Sequence, residues 1–265
     1  MVLGSVVRRA MFQQAMERWR GRVAMVTGAS AGIGAAVAKA LVNEGMTVVG
    51  LARRDERIKE MAKNLEAAPG KLHAVKCNLR DEEDILSAFK WVKENVQGVE
   101  VLINNAGVLG ETALTEAETE EWRRQLDVNV LALSICTREA VKSMRERSVD
   151  DGHIIHINSI AGHNPPFLPQ IAMYTATKHA VTALTEGLRK DLVASNSRTR
   201  VTSISPGLVN TEIFDNLKTF SRANVLTTGP HLLPEDIADA VLYALAAPPH
   251  VQIHELTIKP VGEAA

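Results

Sequence analysis

The sequence predicts an α/β fold, a doubly wound, mainly parallel seven-stranded sheet with helices on both faces. Three observations carry that expectation. Short apolar runs alternate with amphipathic helical stretches along the chain. The runs read as strands buried on two faces, the mark of a parallel sheet covered on both sides. A glycine-rich loop stands between the first run and the first helix, and right-handed crossovers place the ligands of such a sheet at the carboxyl ends of its strands.

The elements follow in order. Val23-Ala24-Met25-Val26 is a strand ended by Thr27-Gly28, and Gly32 to Asn43 is a helix with Ile33, Val37 and Leu41 on one face, closed by Gly45. Thr47 to Ala52 is a second buried strand. Asp55 is expected to cap the next helix, which carries Ile58, Met61 and Leu65 on one face. Leu72 to Leu79 reads as strand, Asp81 to Asn95 as helix, Val99 to Ile103 as strand, and about Glu118 to Met144 as one long helix. Ile154 to Ile157 is the fifth strand, the segment around Tyr174 the next helix, and Val201 to Ser205 the sixth strand. Pro234-Glu235-Asp236 opens a helix that stops before Pro248-Pro249, since proline suits a first turn and not an interior; Ile253 to Ile258 closes the sheet.

The 265 residues show no fixed-period repeat, low-complexity tract or linker, so residues 21–265 are read as one domain. A formal net charge of −1 excludes the basic surplus of a nucleic-acid-binding protein. No apolar run reaches the roughly 18 residues that span a bilayer. Cys77 and Cys136 form no C-x-x-C pair and read as small apolar residues of a reduced, cytoplasmic protein. His153, His156, His163 and His231 have no metal-ligand spacing, so no metal is expected. Residues 1–20 carry Arg8, Arg9, Arg18 and Arg20 against Glu17 alone. They read as a flexible extension, or as residues ahead of a working start at Met16, with organelle targeting as the alternative.

The loop Thr27-Gly28-Ala29-Ser30-Ala31-Gly32-Ile33-Gly34 lies where a dinucleotide pyrophosphate must sit. Gly28 allows a tight turn, Gly32 a close backbone approach and Gly34 close helix packing, while the helix N-terminus offers N–H groups to the anion. At the end of the second strand Arg53 and Arg54 stand where a ribose-binding carboxylate would favour NAD, and they suit the 2′-phosphate of NADP. The competing reading has both arginines solvating the rim of the sheet. Tyr174 and Lys178, four apart on a helix, share one face, which makes a phenol and an ammonium available to one site.

These motifs resemble the short-chain dehydrogenase/reductase family. T-G-x-x-x-G-x-G is Thr27 to Gly34, N-N-A-G is Asn104 to Gly107, and the active-site pattern is Ser159 with Tyr174-x-x-x-Lys178; Asn129 matches the asparagine of the long helix, and Pro206-Gly207 with Thr211 the segment after the sixth strand. The resemblance covers roughly residues 22 to 260. Met16 to Trp19 and Leu131 to Ala140 are similar to the branch holding insect farnesol dehydrogenases and vertebrate ketosteroid reductases. It implies a Rossmann fold, a dimer or tetramer built through the long helices, and hydride transfer between nicotinamide and an alcohol or carbonyl carbon. By the resemblance Tyr174 is the acid/base, Lys178 its support and a holder of the nicotinamide ribose, Ser159 a hydrogen-bond partner of the substrate oxygen, and Asn129 the support of a water relay behind Lys178. The cofactor residues implied are Gly28, Ser30, Gly32, Ile33 and Gly34; Arg53 and Arg54; Asn78 and Leu79; Asn105, Ala106 and Gly107; Tyr174 and Lys178; and Pro206, Gly207, Val209 and Thr211.

The chemistry requires these residue types. A free phenol near pKa ~10 is a poor base at neutral pH, and Lys178⁺ beside an oxidised nicotinamide favours its phenolate. One departure from the family is Asn78, where aspartate is usual near the adenine; its amide still supplies an acceptor and donors. Two segments frame the substrate. One is the loop after Ser159, with Pro165, Pro166, Phe167, Leu168, Ile171 and Met173. The other lies within residues 208–233, where Ile213, Phe214, Leu217 and Phe220 recur at helical spacing as a lid for a hydrophobic isoprenoid or steroid-like alcohol or ketone, unless they pack on the domain or a neighbouring subunit. His163 and His231 are candidates to bond a distal polar group of that substrate. The expected activity is an NADP-dependent alcohol dehydrogenase or carbonyl reductase. The alternatives are a dinucleotide-binding regulatory protein of the same fold, and an isomerase of the extended branch, whose G-x-x-G-x-x-G loop and larger C-terminal domain are absent.

Overall fold

The computed structural model describes residues 13–165, 168–215, 217, 221 and 229–263. Seven strands form one parallel sheet: β1 (Val23–Thr27), β2 (Thr47–Ala52), β3 (Lys71–Lys76), β4 (Val101–Asn104), β5 (His153–Ile157), β6 (Arg200–Pro206) and β7 (Glu255–Ile258), in the order β3-β2-β1-β4-β5-β6-β7. Every pairing among them is parallel. The order reverses between β1 and β4, and the crevice beyond their carboxyl ends is where a doubly wound sheet takes its ligand.

The helices are α1 (Gly32–Asn43), α2 (Asp55–Asn64), α3 (Glu82–Val96), α4 (Thr119–Leu126), α5 (Ala132–Glu146), α6 (Ala172–Ala194) and α7 (Pro234–Ala246). On one face of the sheet α1 packs against α7 over Val37, Leu41, Val241 and Leu245; on the other, α3 and α5 close over Ile85, Val92, Cys136 and Ala140. β1, β4, β5 and β6 are buried along their whole length, apolar for the most part but with His153, His156 and Arg200 buried among them. Both cysteines are free and buried in the second core, which pushes each thiol up to about 12.

Three expectations need correction. Asp55 is the first residue of α2 and not its cap; Arg54 takes the cap position without a side-chain bond, and Asp55 pairs with Lys59 at 2.6 Å one turn on. The helix expected from Glu118 to Met144 is interrupted. Between α4 and α5 the residues Asp127–Leu131 form a π-helical turn, in which Ala132 N–H bonds Asp127 O. Periodicity does not reveal such a turn, because one extra residue leaves the apolar spacing nearly intact, and π-turns concentrate at functional sites.

The third concerns the extension expected to be flexible over residues 1–20. From Met16 onward it is packed: Met16 and Trp19 are 1% exposed. Trp19 Nε1 donates to Leu245 O at 2.9 Å, Arg18 donates to Leu245 O and Ala247 O, and Arg200 donates to Ala247 O at 3.1 Å and Val251 O at 3.3 Å. The last carbonyls of α7 have no partners within the helix and carry its negative dipole end, so these cationic and indole donors form its C-terminal cap. The three guanidinium carbons of Arg18, Arg22 and Arg200 lie 5.3, 4.6 and 5.8 Å from the Trp19 ring centroid. Arg22 also holds Asp151 through two bonds, at 2.8 and 2.9 Å, which balances the clustered positive charge.

Two histidines are buried under the sheet's helices. His153 bonds Thr202 Oγ1 at 2.8 Å, and His156 bonds Thr185 Oγ1 at 2.9 Å and Thr137 Oγ1 at 3.4 Å. Burial holds the imidazole of His153 well below its usual range and brings that of His156 down to about 3, with Lys178 and Arg189 adding repulsion at His156. Near pH 7 both are neutral in the folded and unfolded chains. As pH falls from about 6.5 towards 3, only the unfolded chain takes up their protons, so stability is retained above about 6.5 and lost on acidification. Urea midpoints are expected to fall between pH 7 and pH 5 in the wild type and to fall less steeply in His156→Gln; equal slopes would remove His156 as the cause.

Candidate active site

The glycine loop folds as the motif requires at two positions. Gly28 has φ 68°, the left-handed region that side chains disfavour. A Cβ on Gly34 would collide with the Asn105 side chain and the Gly28 carbonyl. The loop is locked to the segment after β4. Thr27 Oγ1 accepts from Asn105 N and Ala106 N, both at 3.0 Å, and Asn105 Nδ2 donates to Thr27 O at 2.8 Å. Asn104 turns the other way and donates to Thr137 Oγ1 at 2.9 Å, tying the strand to α5. The N-N-A-G segment is therefore a clamp between β1, β4 and α5.

The N-terminus of α1 has no side-chain cap: Ala31 stands at the cap position, and its orphan N–H groups and positive dipole end open onto a cleft lined by Ser30, Gly32, Lys39, Asn210 and Thr211. Arg53 and Arg54 lie at the exposed end of β2. Arg54 pairs with Glu212 at 2.9 Å, whereas Arg53 has no hydrogen bond or ion pair among the described residues. β3 ends at Lys76, short of the expected Leu79, although Cys77 N still bonds Ala52 O. Asn78 is exposed; its Oδ1 already accepts from Arg80 N at 3.3 Å, which leaves its amide NH₂ as the group for a ligand. The donor set, the uncapped helix end and the open cleft fit a dinucleotide with its pyrophosphate at α1.

Ser159, Tyr174 and Lys178 converge at the carboxyl end of β5. Ser159 caps a 3-10 turn (Ile160–Gly162) by accepting from Ala161 N at 3.1 Å, and its hydroxyl also hydrogen-bonds the Tyr174 phenol. Lys178 is buried, donates to Ile157 O at 2.9 Å and lies 5.7 Å from the Tyr174 ring centroid. Burial brings Lys178 down to about 8, which leaves it mostly protonated at neutral pH. Burial pushes Tyr174 up to about 12 against the lowering effect of the Ser159 hydrogen bond. The expected drop of Tyr174 into a working range is thus reversed in the protein alone. Desolvation of the phenolate exceeds what Ser159 returns, and a positive charge at the phenol must come from elsewhere.

Asn129 sits in the π-turn, and its side chain is fully used: Nδ2 donates to Val108 O at 2.9 Å and to Thr177 Oγ1 at 3.0 Å, while Oδ1 accepts from Val108 N at 2.8 Å. Thr177 in turn donates to Tyr174 O at 2.7 Å. The Asn129 amide therefore ties the segment after β4 to α6, and among the described residues its side chain has no bond to Lys178. Sequence reasoning missed Thr27, Thr177, Arg57 and Glu212. Thr27 and Thr177 stand inside quoted motifs, and Arg57 lies in the first turn of the helix that follows Arg53 and Arg54, close enough in sequence to share the end of β2 with them.

The Pro206-Gly207 turn is backed by the chain's end. A Cβ on Gly207 would strike the Glu263 carboxylate, which accepts from Leu208 N at 3.4 Å. Val209 and Leu232 form a parallel bridge, so the two ends of residues 208–233 are joined at their base. Leu217 is 7% exposed, and Glu212–Phe214 is a 3-10 turn. The expected lid helix through Phe220, like Pro166 and Phe167, lies outside the described residues. Ile171 is buried and Leu168 is exposed. His163 is turned towards β6 and β7, bonding Ser205 Oγ at 2.9 Å with Glu255 at 3.5 Å, which removes it as a free substrate ligand; His231 Nδ1 is buried without a partner among the described residues. Among the described residues no cluster of three or more His, Cys, Asp or Glu side chains could hold a metal, and no helix is long and apolar enough to cross a membrane.

A parallel sheet with this switch point, a glycine loop clamped to an N-N-A-G segment, and a Ser-Tyr-Lys group beside it define a nicotinamide-dependent oxidoreductase fold. The chain belongs to the short-chain dehydrogenase family, whose model matches residues 22–221. It is 53% identical to farnesol dehydrogenase of Aedes aegypti, over 94% of this chain and 99% of that protein. It is 50% identical to dehydrogenase/reductase SDR family member 11 of Mus musculus, over 96% and 99%. Among solved structures it resembles the closed form of a serine dehydrogenase complexed with NADP+, at 32% identity and TM-score 0.80, covering 92% of this chain and 96% of that one.

Proposed function

We propose that the chain is an NADP-dependent alcohol dehydrogenase and carbonyl reductase for a hydrophobic substrate of isoprenoid or steroid type. The observation that carries this reading is the Ser159-Tyr174-Lys178 group, with the phenol hydrogen-bonded to Ser159 and a buried Lys178 one turn away, facing the clamp that joins the glycine loop to the N-N-A-G segment. The name of the Aedes aegypti relative, farnesol dehydrogenase, supports the isoprenoid class, and Arg53 and Arg54 support the 2′-phosphate.

The cofactor supplies the hydride and, when oxidised, a positive ring beside the phenol. The protein's own residues do the rest. Gly28, Ser30, Gly32, Ile33 and Gly34 present backbone to the pyrophosphate; Asn78 and Leu79 border the adenine; Asn105, Ala106 and Gly107 line the floor; Pro206, Gly207, Val209 and Thr211 form the opposite wall. Tyr174, kept protonated near neutral pH by burial, donates its proton to the carbonyl oxygen during reduction. Ser159 bonds the same oxygen and stabilises charge as it grows there. Lys178⁺ stabilises the phenolate left behind and holds the nicotinamide ribose. Asn129 fixes the helix turn carrying Tyr174 through Thr177. In the direction of alcohol oxidation the phenolate must form first, so that direction gains with rising pH.

The test follows the absorbance of reduced nicotinamide with farnesol, farnesal, retinal, ketosteroids and small diketones, using NADP(H) and then NAD(H). Turnover of an apolar member with NADP(H) preferred is the expected result. Better use of NAD(H) would defeat the arginine argument, and cofactor binding without turnover of any compound would leave the regulatory-protein reading.

A further inference from the structure

The end of β2 carries more arginine than a rim needs, and part of it is already engaged. Glu212 Oε2 accepts from Arg54 Nη2 at 2.9 Å, and Arg57 Nη1 reaches Oε1 at 2.8 Å and Oε2 at 3.1 Å. Arg54 caps α2 and Arg57 stands in its first turn, so both guanidiniums gather at the carboxyl end of β2. Glu212 comes from the far side of the cleft. It directly follows Thr211, whose Cγ2 lies 3.1 Å from where a Cβ on Gly32 would stand, in the glycine loop. The three side chains therefore form a strap across the cleft that the dinucleotide is proposed to enter, joining residues more than 150 positions apart. Arg53 stands beside it with no partner among the described residues.

We propose that Glu212 is an internal stand-in for the 2′-phosphate of the cofactor, and that Arg57, through exchange of Glu212 for that phosphate, determines the preference for the phosphorylated dinucleotide. The inference rests on the NADP reading above and adds two specificity-determining residues to it. A carboxylate shared by two guanidiniums has the bidentate geometry that a phosphate also satisfies, but it brings one negative charge where a phosphate monoester brings up to about two. Three arginines against one carboxylate leave the strap with an excess of positive charge that a 2′-phosphate neutralises and a bare ribose does not. The bridge is also displaceable, because the three side chains are between about one third and one half exposed and pairs of that kind hold weakly. When the phosphate takes Arg54 and Arg57, Glu212 and the turn Glu212–Phe214 are released at the base of residues 208–233. A dinucleotide lacking the phosphate leaves the strap closed.

The experiment is a titration of NADPH and NADH, followed by reduced-nicotinamide fluorescence, on the wild type, Arg57→Gln and Glu212→Gln. Arg57→Gln is expected to weaken NADPH about tenfold, the loss of one charge-assisted hydrogen-bonding group, and to change NADH by less than about twofold. Glu212→Gln is expected to tighten NADPH by about three- to tenfold with NADH again nearly unchanged. If Glu212→Gln leaves NADPH unchanged or weakens it, or if Arg57→Gln weakens both dinucleotides equally, the exchange is refuted while the NADP reading stands. If the wild type binds NADH more tightly than NADPH, the NADP reading itself fails and the exchange with it. Thermal denaturation of both variants without cofactor separates a binding effect from loss of fold.

Discussion

Tyr174→Phe is expected to lower turnover by about a thousandfold or more while leaving the fold and cofactor affinity close to wild type. The range for removing a positioned proton donor is roughly 10²–10⁴, and the upper part applies because no second donor stands ready. Ser159 Oγ is engaged with Ala161 N and the phenol, and Lys178 Nζ donates to Ile157 O. Phenylalanine keeps the ring, its packing and its place beside Lys178, so it isolates the hydroxyl. The pH profile sharpens the test. With the Tyr174 hydroxyl pushed up to about 12 and Lys178 down to about 8 in the protein alone, neutral pH leaves the donor protonated, and reduction should proceed there without a rise toward alkaline pH. Oxidation of the alcohol should rise with pH, since it needs the phenolate. A folded Tyr174→Phe variant with near-normal turnover would show that the proton comes from another group.

Trp19→Ala is expected to lower stability by about 3–5 kcal/mol, the cost of deleting a large buried aromatic side chain. Trp19 is 1% exposed, and its indole N–H satisfies Leu245 O at the end of α7. Its ring also lies against three guanidiniums, of which Arg200 is brought down to about 10 by burial. Without the indole, the carbonyl and the cations lose a shared partner. Trp19→Phe retains most of the apolar area and loses the hydrogen bond, so it should cost less, on the order of 1–2 kcal/mol. The measurement is urea unfolding at pH 7 of both variants, together with a chain shortened to begin at Arg20, which should resemble Trp19→Ala. A loss below about 1 kcal/mol in Trp19→Ala would mean that the Met16–Trp19 segment contributes little to the native state.

The strands were legible because burial on both faces leaves nearly continuous apolar runs, and the glycine loop because the positive φ at Gly28 favours glycine and a Cβ on Gly34 would collide with Asn105 and the Gly28 carbonyl. The clustering of Ser159, Tyr174 and Lys178 was legible because a helix puts positions four apart on one face and the strand before it ends in the same place. Other features depend on partners distant in sequence. Trp19 reads as the end of a charged tail until α7 brings Leu245 to it, 226 positions away. Asn129 reads as one residue of a regular helix, yet the π-turn re-aims its amide at Val108 and Thr177. Glu212 carried no signal in the sequence, because nothing local says that it meets Arg54 and Arg57.

What the sequence by itself determined was the sheet, its glycine loop and the shared helical face of Tyr174 and Lys178, because these follow from local spacing and backbone geometry. What only the tertiary structure decided was their state. It sets which amide ends and arginines are already taken, and it moves Tyr174 and Lys178 away from their solution values. Desolvation and hydrogen-bond satisfaction depend on atoms that the fold alone brings into contact.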